Sequence, residues 1–406
     1  MSAHTWQFLR SFALRAYYNL RIPKNRSHSG RAKPWPIRHR LELQQKHVLC
    51  GYHDVTPFDV TETRCAALAA PGYATAAYDG SEADIGWFDL RESDPPWHRL
   101  GGSRGWCWQQ GARLRWHPTS PNFVTYNDVR SGQGLCLVQD TSSGRVEQQL
   151  PMAIYDLAPD GRHGLSLDFH RLHLVRRGYG YPQATPLPGD RQGVWLVDLQ
   201  TARYELLLPL SDLVALNPVA SMAGAEHYVN HISWSPDGSQ FVVIHLWLAG
   251  GRRFSRMIIM DFPGGPVRIL ENTEYAGHYC WMKAGQLLFF VGNLGKQSGF
   301  YLYDTVTGGR QPVAIGSIRE DGHPSALPES EMVILDTYPD GLGFSQLFLL
   351  DPTNALAIAI GRFHHPLNFF GDYRCDLHPR TAPSGRLIAV DHVVVGSRVV
   401  SILSRP

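Results

Sequence analysis

Short apolar runs alternate with polar turn sequences along most of this chain, and one combination recurs. A strand-like run is followed by a turn of the type S/A-P-D/S-G and then by a second apolar run that ends in Asp or His. The clearest copies are YDLAPDGRHGLSLDFH from Tyr155, HISWSPDGSQFVVIHLW from His231 and HPRTAPSGRLIAVDH from His378. Weaker copies begin at Tyr52, Trp116, His278 and His323. Self-similarity of this kind predicts an architecture built from repeated structural units.

Further strand-like runs, such as GVWLVDLQTARYELL and QLFLLDPTNALAIAI, lie between the copies. In these runs Asp with Gly or Asn supplies the turns that join adjacent antiparallel strands. Four short strands in a unit of roughly 40–60 residues are typical of a propeller blade. We therefore predict an all-β fold, a seven-bladed β-propeller with a short basic N-terminal extension over residues 1–40 and a single propeller domain over residues 41–406.

The predicted blades cover residues 45–100, 104–150, 151–215, 226–272, 276–316, 321–364 and 370–406. An early strand near Leu41 to Cys50 is expected to complete the last blade. A chain of 406 residues with 43% hydrophobic residues is sufficient for a continuous core in such a ring.

The charge of the chain is nearly balanced, with 38 basic and 36 acidic residues, which argues against a nucleic-acid partner. Residues 10–40 are the exception because they are strongly basic, and RSFALRAYYNLRIP within them is compatible with a short amphipathic helix. This segment is either a weak membrane-surface contact or a basic arm that lies on the fold or is disordered.

The expected location of the protein and the role of its cysteines are inferred from sequence features that are missing. Its apolar runs are shorter than a transmembrane helix, and His4, Gln7, Arg10 and Arg15 interrupt the region where a signal peptide would be apolar. A cytoplasmic protein is therefore expected. The six cysteines are scattered without a C-x-x-C pair, so neither a zinc knuckle nor a disulfide framework is indicated.

Histidines recur at one position of the repeat. His231 and His378 each stand seven residues before the turn glycine, and His278 and His323 occupy the same point in the two blades between them. The first strand of each propeller blade lines the central channel, so these four side chains are expected to converge there. Their alternative role is to fill a polar channel and bind water.

Such a ring of imidazoles, with carboxylates such as Asp376 and Asp336, suits a divalent Mn, Zn or Fe ion. The predicted metal ligands are His278, His323, Asp376 and His378.

A second group of polar residues lies in the phrases TYNDVR, DFHRLHLVRRGYGY and RCDLHPR. Arginines and tyrosines beside glycines are suited to binding carboxylates and stacking on sugar rings. The alternative for the second phrase is a surface loop whose tyrosines cover the rim of the propeller.

The blade starts NHISWSPDG, DGHPS and DLHPR resemble the oligogalacturonate lyase family and the related propeller polysaccharide lyases, which include ulvan lyases. The resemblance in blade pattern covers nearly all of the chain after about residue 45. In the lyase family an H-x-H-P phrase supplies metal ligands, whereas this chain has Asp376-Leu377-His378-Pro379, with carboxylate in place of one imidazole. The phrases GYHD at Gly51 and RRGYGY at Arg176 look like features of ulvan lyases, in which Tyr, His and Arg act without a catalytic metal.

The resemblance implies β-elimination on a uronic-acid-containing oligo- or polysaccharide, with an acidic glycan as the partner. A cation or an arginine clamp neutralises the sugar carboxylate, and a side chain removes the neighbouring proton. The predicted catalytic residues are His231 as the base, His170 or Tyr179 as its metal-free alternative, and Arg374 on the carboxylate; the predicted substrate-binding residues are Asn127, Arg176, Tyr181, His245 and Arg380.

Two other classes of function stay open. A non-catalytic propeller could act as a scaffold or bind glycans, and another metal-dependent enzyme could use the same ring for a different reaction on a sugar. A serine-peptidase propeller is not indicated because the sequence contains no G-x-S-x-G phrase.

Overall fold

Seven antiparallel sheets of four strands each follow one another in the part of the chain that the computed structural model describes, residues 34–73, 80–292, 298–313, 318 and 320–406. In six of these sheets the strand order is the sequence order, and in the seventh a strand from the start of the chain joins three strands from its end. This is a seven-bladed β-propeller, as predicted. The basic segment up to residue 33, with its predicted surface helix, lies outside the described residues.

The first strand, β1 (Ile37–Leu41), belongs to the last blade. Blade 1 contains β2 (Lys46–Leu49), β3 (Arg64–Pro71), β4 (Ala83–Asp89) and β5 (Trp97–Ser103). Blade 2 contains β6 (Arg115–His117), β7 (Ser120–Arg130), β8 (Gln133–Asp140) and β9 (Val146–Leu150). Blade 3 contains β10 (Asp156–Leu157), β11 (His163–Ser166), β12 (Gly193–Asp198) and β13 (Arg203–Pro209). Blade 4 contains β14 (Glu226–Trp234), β15 (Gln240–Ala249), β16 (Arg252–Asp261) and β17 (Val267–Glu271).

Blade 5 contains β18 (Ala276–Lys283), β19 (Gln286–Val291), β20 (Gly299–Asp304) and β21 (Arg310–Pro312). Blade 6 contains β22 (Pro324–Ala326), β23 (Val333–Asp336), β24 (Phe344–Asp351) and β25 (Leu356–His364). Blade 7 contains β26 (Arg380–Thr381), β27 (Leu387–Val394) and β28 (Ser397–Ser404).

The strand that closes blade 7 lies earlier than expected. It is β1, which pairs with β28 from Leu41 opposite Val400 to Ile37 opposite Leu403. Residues 46–49 were predicted both in blade 1 and in this closing strand, and they form the innermost strand of blade 1. Residues 37–40 of the predicted extension therefore belong to the ring. The sequence did not reveal this pairing because the partner strand is more than 350 residues away in the chain.

The repeated turn phrase forms the same structure in different blades. In blade 4, the backbone N–H of Ser235 donates to Gln240 O at 2.8 Å, and that of Gly238 donates to Ser235 O at 2.9 Å. Gly238 has φ +72°, a left-handed conformation that glycine adopts without a steric penalty. In blade 7, Ala382 donates to Leu387 O and Gly385 to Ala382 O in the same way. The turn is stabilised locally, which is why its sequence predicts it.

Apolar side chains hold neighbouring blades together. The largest cluster joins blades 3, 4 and 5, and it includes Val194, Phe241, Ile258 and Leu287, each fully buried. Burial of each large apolar side chain contributes about 1.5–3 kcal/mol, so the interfaces between blades provide a rigid frame for the channel.

Helices are short insertions in this ring. The α-helices of the described residues are α1 (Phe169–Val175) and α2 (Leu210–Ala215), both in blade 3, and 3-10 turns occur at Gly189–Arg191, Ala220–Met222 and Gly371–Tyr373. Asp168 caps α1 by accepting a hydrogen bond from Arg171 N at 2.9 Å. Across the described ranges, every helix falls short of the length and apolar character needed to span a membrane.

Blade 1 sends a bulge into the central channel. Its innermost strand pairs with β3 at Leu49 and again at the bridge from Phe58 to Cys65, and the residues between them leave the sheet. Gly51 allows this departure because it has φ +97°, and a Cβ there would lie 2.9 Å from the carbonyl oxygen of Gln110. The bulge therefore brings residues 52–54 to the starts of the opposite blades.

A candidate active site in the central channel

The four histidines at the starts of blades 4 to 7 surround one tyrosine of the bulge. The ring centroid of Tyr52 lies 5.2 Å from that of His231, 6.2 Å from His278, 5.7 Å from His323 and 4.7 Å from His378. All five side chains are buried. We call the four histidines the histidine ring. The structure therefore brings the four predicted histidines to one place, together with an aromatic residue that was not predicted there.

Adjacent members of the histidine ring lie close enough to share a ligand. The imidazole centroids are 5.5 Å apart for His231 and His278, 4.3 Å for His278 and His323, and 4.4 Å for His323 and His378. His53, the next residue of the bulge, has its ring centroid 5.2 Å from that of His323, and its Nδ1 is 2.8 Å from Pro324 O.

The backbone at the blade starts turns these side chains toward the channel. His231 and His378 have φ +50° and +43°, in the left-handed region that non-glycine residues rarely occupy. The pairing of β14 with β15 shifts register between Asn230 and Ser233, so His231 lies at a bulge that redirects its side chain. The conformation is held on both sides, because His231 N donates to the Tyr155 hydroxyl at 3.2 Å and the Tyr279 hydroxyl donates to His231 O at 2.7 Å. Unusual backbone conformations supported in this way are frequent at functional sites.

Three residues of blades 6 and 7 form a group with the composition of a metal site. One side-chain ligand atom from each of His323, Asp376 and His378 lies within 4.8 Å of the others. His323 Nε2, His378 Nε2 and Asp376 Oδ1 are buried and have no hydrogen-bond partner among the described residues. Buried polar atoms without a partner are costly, and two imidazole nitrogens with a carboxylate oxygen suit Mn²⁺, Zn²⁺ or Fe²⁺. The donor set therefore fits a divalent cation.

His278, the fourth predicted ligand, is adjacent to this group but not part of it. Its Nδ1 lies 3.1 Å from Asp321 Oδ2. Asp336, the other carboxylate considered for the metal, contacts His323, with its Oδ1 3.0 Å from His323 Nδ1. These two carboxylates contact histidines of the ring on the Nδ1 side.

An arginine–tyrosine group lies next to the metal-type residues. Arg374 Nη2 donates to the Tyr179 hydroxyl at 3.2 Å, and Arg176 Nη2 donates to the same oxygen at 3.4 Å. Arg374 Nε also donates to Asp376 Oδ2 at 2.7 Å, which connects the two groups. Tyr179 meets His231 edge to face, with the ring centroids 6.0 Å apart. Cationic, phenolic and imidazole groups thus lie next to one another.

Burial and neighbouring charges set the protonation of these groups. Burial lowers the pKa of His231 well below its usual value, and the nearby His278 and Arg176 lower it further, so His231 is a neutral imidazole. Burial raises the pKa of Tyr179, but the guanidinium groups of Arg176 and Arg374 outweigh it and bring that pKa below the usual value. For Asp376 burial also raises the pKa, and Arg374 with His323 overcomes this and lowers it. The candidate site therefore contains a neutral base, an acidified phenol and a carboxylate.

Several predicted substrate-binding residues have their polar groups bound within the fold. Asn127 donates to Ile154 O and to the Tyr181 hydroxyl, each at 2.8 Å, and it joins blades 2 and 3. The Tyr181 ring stacks on Phe169 with a centroid distance of 4.4 Å. Both Asn127 and Tyr181 are buried, so the contacts found for them are structural.

Two further basic residues are also engaged internally. Arg380 is fully buried and donates to Asp391 Oδ1 through both Nη atoms, at 3.0 and 2.6 Å. His245 lies on β15, between His227 at 3.0 Å and Arg256 at 3.2 Å. His170 lies on α1, in the same insertion as Tyr179. The structure therefore brings Arg176, Tyr179, Arg374 and the metal-type group to the histidine ring, and gives Arg380 and His245 other partners.

Sequence reasoning did not assign Tyr52, His53 or Asp321 to the site. The phrase GYHD had drawn attention to the first two, but their position depends on the bulge in blade 1. Asp321 stands two residues before His323 in the phrase DGHPS, yet its carboxylate contacts His278 of the preceding blade. Such contacts between blades leave no local signal in the sequence.

No protein-family model matches this sequence, and no curated protein sequence matches it. Solved structures do resemble it. An oligogalacturonate lyase in complex with manganese has a TM-score of 0.65 at 15% sequence identity, over 92% of this chain and 95% of that chain. An oligogalacturonate lyase from Vibrio parahaemolyticus has a TM-score of 0.61 at 12% identity, over 90% and 93% of the two chains. The β-propeller domain of Cps50 (Swd1) from Myceliophteria thermophila has a TM-score of 0.51 at 13% identity, over 90% and 100%. At these identities the likeness shows the propeller fold.

Proposed function

We propose that this chain is a lyase that cleaves a uronic-acid-containing oligo- or polysaccharide by β-elimination, with a divalent cation held by His323, Asp376 and His378. The observation that carries the proposal is the close approach, within the channel, of a neutral histidine, a pair of arginines and this metal-type group. Two similar structures are oligogalacturonate lyases, one of them a manganese complex, which makes manganese the first ion to test.

The chemistry needs three functions that these residues can provide. When bound, the cation would supply positive charge that neutralises the sugar carboxylate and so acidifies the neighbouring C–H. Arg374 and Arg176 add to this charge, because each carries N–H groups that can hold a carboxylate. His231 is the base: its neutral imidazole accepts the C5 proton, the C5–H electron pair forms the C4–C5 double bond, and the C4–O4 bond breaks.

Tyr179 is suited to the remaining proton transfer. The leaving O4 requires a proton, and a phenol acidified by two guanidinium groups is a better donor than an ordinary tyrosine. Tyr179 lies edge to face with His231, so the base and the acid are adjacent. In the metal-free alternative, which follows the ulvan lyase resemblance, Tyr179 is itself the base, because the same arginines stabilise its phenolate.

The test is to incubate the metal-reconstituted protein with a panel of uronic-acid oligosaccharides. A lyase leaves an unsaturated sugar, which is detected by its ultraviolet absorbance. Its mass is lower by one water than that of the corresponding hydrolysis product, because elimination adds no water. Saturated products would instead indicate a hydrolase. Binding of an acidic glycan without cleavage would favour a glycan-binding propeller. Absence of both binding and cleavage would favour a non-catalytic scaffold, a candidate supported by the near-complete burial of Tyr52 in the channel.

A further inference from the structure

Asp336 stands at the end of β23 in blade 6 and is 1% exposed. Its Oδ1 accepts the backbone N–H of His323 at 2.7 Å, and its Oδ2 accepts the backbone N–H of His378 at 3.0 Å. The two histidines belong to different blades, so one carboxylate links the starts of blades 6 and 7. One of the two, His378, has a left-handed backbone with φ +43°.

The same carboxylate contacts the imidazole of His323. Nδ1 lies 3.0 Å from Oδ1 and 3.1 Å from Oδ2 of Asp336. An ionised carboxylate only accepts hydrogen bonds, so the proton of this contact belongs to Nδ1. In the neutral imidazole, Nε2 is then the nitrogen whose lone pair can serve as a ligand, and Nε2 is the buried atom without a hydrogen-bond partner.

A parallel contact one blade earlier supplies a comparison. Asp321 Oδ1 accepts the backbone N–H of His278 at 3.2 Å, and its Oδ2 lies 3.1 Å from His278 Nδ1. Asp321 thus contacts the backbone and imidazole of one ring histidine, as Asp336 does for His323. His278, however, is outside the group of three metal-type residues found among the described residues.

We infer that Asp336 is a positioning residue for cation binding, which fixes the proton of His323 on Nδ1 and holds the backbone of His378 in place for the same ion. The inference rests on the metal-type group of the proposed function, but it does not depend on the reaction catalysed. Carboxylates that hold a metal-binding histidine through its other nitrogen set the ring orientation and the tautomer, and their loss costs about 10–100-fold in metal affinity.

The first experiment compares the Mn²⁺ affinity of the native protein with that of Asp336→Asn and Asp321→Asn by calorimetry. In Asp336→Asn, an NH₂ group replaces one of the two carboxylate oxygens, each of which accepts a backbone N–H. In either orientation of the amide, an N–H donor of the side chain therefore faces another N–H donor. We expect the dissociation constant for Mn²⁺ to rise about 10–100-fold. Asp321→Asn, the matched control, makes the same chemical change at a histidine outside the group and should have the smaller effect. Equal affinities of the native protein and Asp336→Asn would overturn the inference.

The second experiment determines which ring nitrogen of His323 carries the proton, in the metal-free native protein, by nitrogen NMR with labelled histidine. His323→Gln identifies the resonances. The expected result is a protonated Nδ1, and an unprotonated Nδ1 would overturn the inference even if the Asn variant failed to fold. If the native protein bound no Mn²⁺, the metal part of the proposed function would fail, and the NMR result would still decide where Asp336 places the proton.

Discussion

Arg113 in blade 2 and His378 in blade 7 occupy equivalent places in the propeller. Each stands two residues before the first strand of its blade, and each has a left-handed backbone, with φ +52° for Arg113 and +43° for His378. The Arg113 guanidinium donates to both carboxylate oxygens of Asp54, at 2.9 and 3.0 Å, and to Tyr155 O at 2.7 Å. His378 Nε2, in contrast, is buried with no hydrogen-bond partner among the described residues, and it lies 3.9 Å from Asp376 Oδ2.

The two positions differ in whether the polar groups at the channel have hydrogen-bond partners within the fold. The fold requires a polar side chain at the channel to be satisfied, and around Arg113 it is, through the bulge of blade 1 and the start of blade 3. Around His378, three grouped residues each have a buried polar atom without a hydrogen-bond partner among the described residues, and such atoms are costly unless a further group binds. One side of the channel is therefore stabilised by contacts within the fold, and the other side carries the candidate site.

The largest effect is expected on the chemical side, at His231. Loss of a general base commonly lowers the rate by about 10²–10⁴-fold, so His231→Ala should lose activity on an accepted glycan to this extent. Steady-state assay of unsaturated product measures the change, and circular dichroism checks that the fold is retained. If the variant kept the native rate while Tyr179→Phe lost it, the base would be Tyr179.

Substitution on the structural side should act on stability instead. Arg113→Met leaves Asp54 without its guanidinium partner, and removal of one member of a buried pair typically costs about 3–5 kcal/mol. We expect the lower end, about 3 kcal/mol, because Asp54 is 14% exposed and can be partly hydrated. Urea denaturation measures the free energy of unfolding. His378→Gln should destabilise the protein less, and a larger loss for that variant would contradict the distinction between the two sides.

Added cation should stabilise only a protein with an intact metal-type group. An ion that binds the folded state alone contributes about 2.7 kcal/mol at a concentration 100 times its dissociation constant. The melting temperature of the native protein should therefore rise with Mn²⁺. In His378→Ala the rise should largely disappear, and an undiminished shift would place the ion elsewhere.

The buried histidines predict a smaller dependence of stability on pH. Burial lowers the pKa of His231 and of His53 well below their usual value near 6.5. Their contribution to stability is present above the unfolded pKa and is lost as the pH falls toward the folded value, since the unfolded chain then binds more protons. The free energy of unfolding of the metal-free protein should fall below pH 6.5 by up to about 1.4 kcal/mol per pH unit for each group. His53→Gln should make this slope shallower, and an unchanged slope would exclude His53 as a contributor.

Local patterns in the sequence determined the architecture and the residues at the blade starts. Turn phrases such as SPDG are stabilised by contacts within a few residues, so their repetition predicted seven blades, and the histidine at a constant distance before the turn predicted the ring. The phrase RCDLHPR likewise placed Asp376 and His378 together, and Arg374 beside them.

The tertiary structure decided which of these polar residues surround the candidate site and which are bound within the fold. Arg374 and Arg380 lie six residues apart and were both expected to bind a carboxylate, yet Arg380 is fully engaged by Asp391. Closure by β1, the insertion of Tyr52 and the contact of Asp336 with two blades all join residues distant in sequence. A hydrogen bond or a metal site depends on distances between whole blades, and those distances are set only when the ring closes.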